Sequence, residues 1–279
     1  MNSSRLYTLP RVLEWSIRID RAPALLWIAC ITLALLPTWV WMARRLADGS
    51  DDPLGLLAIA ALALVLWRHR GRLRVAPRLG WLALATGCAL LSAMLAGALP
   101  PLATSLVALA ALGCVLAAFL PALVAAAPVI GLALLSLPWI ASLQFYAGYP
   151  LRALTAEASR WLLAPFFAIE RMGTALLVDG RLVMVDAPCS GVQMLWLGYF
   201  TACMTALWTF RSSGSFLARL PAVSVLVLAG NVVRNTVLVS LEATGGASAA
   251  VHDAIGLGVL ALVCGAIAWV MADEGERHV

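Results

Sequence analysis

Apolar residues in this chain come in long unbroken blocks, not in the alternating or three-to-four spacing of half-buried soluble elements. Eight blocks stand out, at roughly 23–43, 53–67, 79–99, 102–120, 122–143, 191–210, 220–241 and 252–271. A membrane helix needs about 20 apolar residues, and every block but the short second one approaches that length. Pro100, Pro101 and Pro121 set the breaks between the third, fourth and fifth blocks. Continuous blocks argue against a transmembrane β-barrel, whose strands alternate. The pattern predicts an all-α polytopic bundle of about eight spans, one integral-membrane domain over 1–279.

Composition agrees. Hydrophobic residues make up 63% and charged residues 12%, about half the charged share of a soluble domain. That excludes a soluble globular enzyme and a disordered chain. Residues 1–21 are mixed and hold Arg5, Arg11, Arg18 and Arg21. The apolar stretch after them is too long for a signal-peptide core and reads as a retained span.

The net charge is +5, and all 19 basic residues are arginine. They sit at the ends of apolar blocks, so they read as topology signals rather than as a nucleic-acid footprint. The short loop RHRGRLRVAPR carries Arg68, Arg70, Arg72, Arg74 and Arg78, which places it in the cytoplasm. With eight spans both termini are then cytoplasmic, and Arg211, Arg219 and Arg277 join the inner set. Arg152, Arg160, Arg171 and Arg181 fall outside. So do Arg44 and Arg45, against the rule.

The long connection 144–190 lies outside in this assignment. Residues 149–172 have an approximate helical stripe and predict an amphipathic helix on the outer bilayer surface, an anchor or a lid. Two β-rich runs around Asp179-Gly180 predict a hairpin. The hairpin leads into Cys189, in the string DAPCSGVQ.

Three residues carry candidate chemistry. Arg234 stands inside the seventh block, in AGNVVRN, eight residues before the block's outer end near Glu242. At 1.5 Å per residue that is about 12 Å below the outer boundary. An intramembrane charge is a functional-site signal, although a purely structural ion pair is the alternative. Asn231 lies one turn away on the same face. Cys189 precedes the sixth block, and Pro188, Ser190 and Gly191 fit a sharp turn into a helix. A thiol at a helix N-terminus near an arginine favours thiolate. Gln193 is one turn on. His252, beside Asp253, opens the eighth block. His69 and His278 read as solvated, and the other five cysteines as packing residues. Trp139, Trp161, Trp196, Trp208 and Trp269 read as interface or packing residues.

The assignment puts Cys189, Arg234 and His252 on one membrane face, from three consecutive spans. A thiol nucleophile, a fixed positive charge and a proton donor suit acyl transfer through a thioester. No metal, haem or nucleotide site is expected, because the ligand spacings and phosphate loops are missing. A transporter or assembly scaffold is the rival, since transporters also bury charge; these usually hold it near the midplane between repeats, and no repeat is visible here.

At residues 138–271 the chain resembles the exosortase/archaeosortase family of integral-membrane sorting enzymes. The likeness rests on YAGYPLRALTAEASRWLL, VDAPCSGVQML, AGNVVRN and VHDAIG, in that order. The first five spans, 1–137, add nothing specific to it. The resemblance implies a cysteine protease/transpeptidase without cofactor, in the bacterial inner membrane with its site facing the periplasm. It implies protein substrates with a C-terminal signal: a short motif such as PEP, one span and a basic tail. It implies Cys189, Arg234 and His252 as catalytic residues. Asn231, Asp253 and Gln193 are supporting candidates. Hydrolysis and transpeptidation are not separable from the sequence.

Overall fold

The computed structural model describes residues 24–184, 191–246 and 248–273. Helix α1 (Ala24–Ala34) turns by 61° into α2 (Leu36–Ala47). The first apolar block is therefore a bent pair. Pro37 near the start of α2 has no N–H to give back, so the helix breaks there. The carbonyl of Thr32, at the bend, accepts a bond from Trp39 Nε1 at 2.9 Å.

Helix α3 (Leu54–His69) runs into a 3₁₀ turn at Arg70–Arg72, and α4 (Leu79–Leu95) and α5 (Pro101–Phe119) follow. Pro101 sits in the first turn of α5, where a missing N–H costs nothing. Helix α5 is the most enclosed of the membrane-length helices: every residue from Ala111 to Phe119 is buried, and the helix packs against α1, α2, α4 and α6.

The fifth expected span, 122–143, is not one helix. Helix α6 (Ala126–Leu135) is only 10 residues, and the chain then turns by 92° into α7 (Ile140–Leu163). Ten residues rise about 15 Å, half a bilayer core. Pro138 stops α6, because a proline there cannot donate back along the helix. The segment expected as a separate surface helix at 149–172 is the second half of α7. It ends at Leu163, and residues 169–172 are a strand.

Three short strands form an antiparallel meander: β1 (Ile169–Met172), β2 (Ala175–Val178) and β3 (Arg181–Met184), in the order β1-β2-β3. The expected hairpin is the β2–β3 pair. Asp179 (φ +47°) and Gly180 (φ +81°) make its tight turn, in the left-handed conformation that such turns require. Strand β1 was not expected. Asp179 ties it down: its Oδ1 accepts from Ala168 N at 2.9 Å, and its own amide donates to Ala168 O at 2.8 Å.

Helices α8 (Val192–Trp208), α9 (Ser213–Thr244) and α10 (Ala249–Ala272) complete the bundle. Ser212 and Ser248 cap α9 and α10 through their hydroxyls. Among the described residues, four helical stretches are long and apolar enough to cross a membrane: 54–72, α5, α9 and α10. Counting each bent pair as one span gives six, not the eight expected. Helices α4 and α8 occupy the other two apolar blocks with 17 residues each. The chain is a polytopic α-helical membrane protein with a small sheet.

The two ends of the bundle differ. At one end Arg68 stacks on Trp208 (5.1 Å), and Arg78 donates to Leu120 O at 3.0 Å. Arg211 and Arg219 reach the last carbonyls of α10, those of Met271, Val270 and Asp273. These arginines satisfy carbonyls that a helix end leaves without partners. The sheet lies at the other end. It packs with α7 and α9 around a second core of Ala156, Leu163, Leu176, Val178, Val183, Leu238 and Val239, and Ile255 of α10 rests against it. Arg45, whose position ran against the charge rule, pairs with Asp51 at 3.3 Å and lies 5.8 Å from the Trp41 ring.

Candidate active site at the sheet end of the bundle

Helix α8 begins from Gly191, whose φ is +81°. That conformation favours glycine, and space demands it too. A Cβ at residue 191 would lie 2.8 Å from Asn231 Cγ. The turn into α8 is thus fitted onto the Asn231 side chain of α9. Cys189, with Pro188 and Ser190, lies outside the described residues; Cys189 precedes Gly191 by two residues in the sequence.

Asn231 is 2% exposed and donates through Nδ2 to Thr155 Oγ1 of α7 at 3.1 Å. One turn later Asn235 Nδ2 donates to Ser159 Oγ at 2.9 Å, and Thr236 Oγ1 contacts the same hydroxyl at 3.1 Å. Two polar residues four apart on α9 therefore meet two polar residues four apart on α7. Buried amides need such partners, and the ladder fixes the register of the two helices.

Arg234 faces the other way. It lines a cavity of about 300 Å³ with Gln193, Met194 and Leu197 of α8 and Asp253, Gly256, Leu257 and Leu260 of α10. Gly256 lets α10 come close: a Cβ there would stand 3.3 Å from Arg234 Nε. The structure thus brings together Gln193, Arg234 and Asp253 around one space.

His252 borders this space without lining it. At 100° per residue it falls between Gly256, which faces Arg234, and Ile255, which faces the sheet. Its imidazole Nδ1 is 3.5 Å from Asp253 Oδ1, and its side chain is 37% exposed. All of these positions sit at the end opposite Arg68, Arg78 and Arg211.

Sequence reasoning missed a contribution from the N-terminal helices. Gln193 Nε2 donates to Asp52 Oδ2 at 2.8 Å, across 141 residues of sequence. Its neighbour Asp51 has a fully buried side chain, paired with Arg45 and accepting from the amide of Ala141 at 3.1 Å. Ala141 is in the first turn of α7, where amides lack helical partners and a carboxylate is favoured. At the start of this loop, the Ser50 hydroxyl and amide hold the Asp48 carboxyl below its usual range. The clue was two adjacent carboxylates at the head of an apolar block. Thr155 and Ser159 were also missed; their spacing of four matches that of Asn231 and Asn235.

The fold and site define a class: a polytopic helical membrane protein with an arginine-backed cavity of mixed polar and apolar lining at one end, beside a small sheet. The family model for transmembrane exosortases (Exosortase_EpsH) matches residues 41–269. The chain belongs to the transmembrane exosortase family. The match reaches well ahead of residue 138, into α2 with Arg45 and the loop after it with Asp51 and Asp52. No curated protein and no solved structure matches the chain. Family membership gives the coarse function, a membrane-embedded protease/transpeptidase role in protein sorting.

Proposed function

We propose that the chain is a cysteine peptidase/transpeptidase that cleaves C-terminal sorting signals of exported proteins, with Cys189 as nucleophile. The observation that carries this reading is the meeting of three helices at the sheet end: Arg234 behind a cavity, the start of α10 beside it, and the turn that follows Cys189 seated on Asn231.

In this mechanism the Cys189 thiolate attacks a substrate carbonyl carbon, forming a C–S bond and a tetrahedral oxyanion. Arg234 stabilises the thiolate and then the oxyanion. The C–N bond breaks, and His252 gives its proton to the leaving amine. An acceptor amine or water then attacks the thioester carbonyl and passes a proton to the now neutral His252, and the C–S bond breaks to release the thiolate. Asp253 orients His252, and Asn231 holds the turn.

The substrate is a protein bearing a short motif, one membrane span and a basic tail, such as a PEP-type signal. The arginine-rich opposite end supports a cytoplasmic location for that end and a periplasmic one for the site, in the bacterial inner membrane. The test is co-expression with a tagged substrate of this kind. Cys189→Ala is expected to abolish its size shift while the enzyme stays in the membrane. Retained cleavage rejects the mechanism. Mass spectrometry of the new C-terminus separates transfer (an added group) from hydrolysis (a free carboxylate).

A further inference from the structure

The cavity in front of Arg234 changes character at one level. On α8, polar Gln193 stands one turn above Leu197; on α10, Asp253 stands one turn above Leu257. Positions four apart share a helix face, so both walls pass from polar to apolar at a similar depth. Leu257 is 67% exposed. The apolar part therefore opens sideways, on the flank of the bundle.

Gln193 has a fixed orientation. The Asp52 carboxylate can only accept, so the group 2.8 Å from it is the Gln193 NH₂. Gln193 also lines the cavity, and its carbonyl oxygen, an acceptor, is not engaged by Asp52. The polar level thus sets the Arg234 guanidinium beside two groups that accept, the Gln193 carboxamide oxygen and the Asp253 carboxylate.

We infer that this slot between α8 and α10 binds an extended peptide strand that continues into an apolar membrane segment, and that Gln193, positioned by Asp52, accepts a hydrogen bond from the strand's backbone. A peptide unit carries one donor and one acceptor, which matches a wall of mixed type. An anionic lipid headgroup would meet Arg234 but also the Asp253 carboxylate and the Gln193 oxygen, which repel it. The apolar floor of Leu197, Leu257 and Leu260 then carries the first turn of the membrane segment. The loop between α2 and α3 takes part through Asp52. The inference rests on the cysteine-peptidase reading for the origin of the strand.

The test is photocrosslinking in the native host. The full chain carries Cys189→Ala, to hold substrate uncleaved, and a photoreactive phenylalanine analogue at Leu257 or, as control, at Leu262. Leu262 is 75% exposed on the same helix and does not line the slot. The expected result is a protein adduct at 257, at least fivefold above that at 262. Its crosslinked peptide, read by mass spectrometry, should lie within a few residues of an apolar stretch of about 20 residues. Asp52→Ala and Gln193→Ala should cut the adduct at least fivefold at equal membrane abundance. Asp52→Asn, which keeps an acceptor oxygen, should restore most of it. Lipid adducts alone, equal yields at 257 and 262, or yields unmoved by Asp52→Ala and Gln193→Ala overturn the inference. Failure of the cysteine reading shows separately, as continued substrate processing in the Cys189→Ala chain.

Discussion

Gly191 and Asn231 share one space: the glycine's missing side chain is where the asparagine carboxamide lies, with a Cβ at 191 falling 2.8 Å from Asn231 Cγ. The contact joins the turn that opens α8 to a helix that also presents Arg234 one turn away. Gly191→Ala should therefore displace the turn and strain its backbone, the left-handed conformation alone costing about 1–2 kcal/mol. At least a tenfold loss of substrate processing is expected in a gel-shift assay with matched enzyme levels. Unchanged processing would show that the turn's position is unimportant.

The Asn231–Thr155 bond gives a stability prediction. Thr155→Val keeps the shape and removes the acceptor, leaving a buried amide donor without it at a cost of about 1–3 kcal/mol. Thr155→Ser should restore most of the loss. Thermal unfolding of the detergent-purified protein checks both variants, and equal melting of Val and Ser variants would count against the ladder.

Asp51 should matter more than its partner Arg45. Asp51→Ala strips a partner from Arg45 and from the Ala141 amide together, for about 2 kcal/mol. Arg45→Ala takes the cation from a buried carboxylate, but it leaves Asp51 its amide donors from Ala141 and Asp52 and admits water where the partly exposed arginine stood, so its cost should be the smaller of the two. The order of the two melting shifts is the measurement, and a larger shift for Arg45→Ala would contradict the buried-cap role of Asp51.

Gly256 offers a way to close the cavity without touching an ionisable group. Gly256→Leu would fill the space before Arg234, and processing should fall about a hundredfold, whereas Gly256→Ala should cost only a few-fold because the guanidinium can shift. Steady-state kinetics in proteoliposomes distinguishes them. Wild-type turnover in the leucine variant would mean that the cavity takes no part.

Sidedness is open to direct labelling. With single cysteines replacing Arg72 or exposed Met172, an impermeant thiol reagent on spheroplasts should label position 172 and spare 172's counterpart at 72. The positive-inside rule sets that direction, and the reverse pattern would invert the proposed orientation.

Much of this arrangement was legible from residue order alone. Block lengths gave the helical membrane class, Asp179-Gly180 gave the hairpin, and charge bias separated Arg68 from Arg234. The residues expected to meet were Cys189, Arg234 and His252; of the candidates named, Arg234, Gln193 and Asp253 border one cavity, His252 stands beside it and Cys189 lies outside the described residues. What stayed hidden was tertiary. Pro138 ends α6 after half a bilayer, but hydropathy averages through a single proline and reports one span. Strand β1 fell inside the stretch 149–172 read as an amphipathic helix, and its sequence Ile-Glu-Arg-Met lacks the apolar-polar alternation that marks a strand. Asp52 could not be linked to Gln193, since nothing local marks a partner so distant along the chain.

That distant pair has a practical consequence for anyone seeking a smaller version of the protein. A fragment starting near α7 would retain every residue nominated for chemistry, yet it would lack Asp51 and Asp52. The amide opening α7 and the Gln193 carboxamide would both lose their tether. Trimming from the front should therefore yield a misaligned remnant, and miniaturisation has to begin elsewhere.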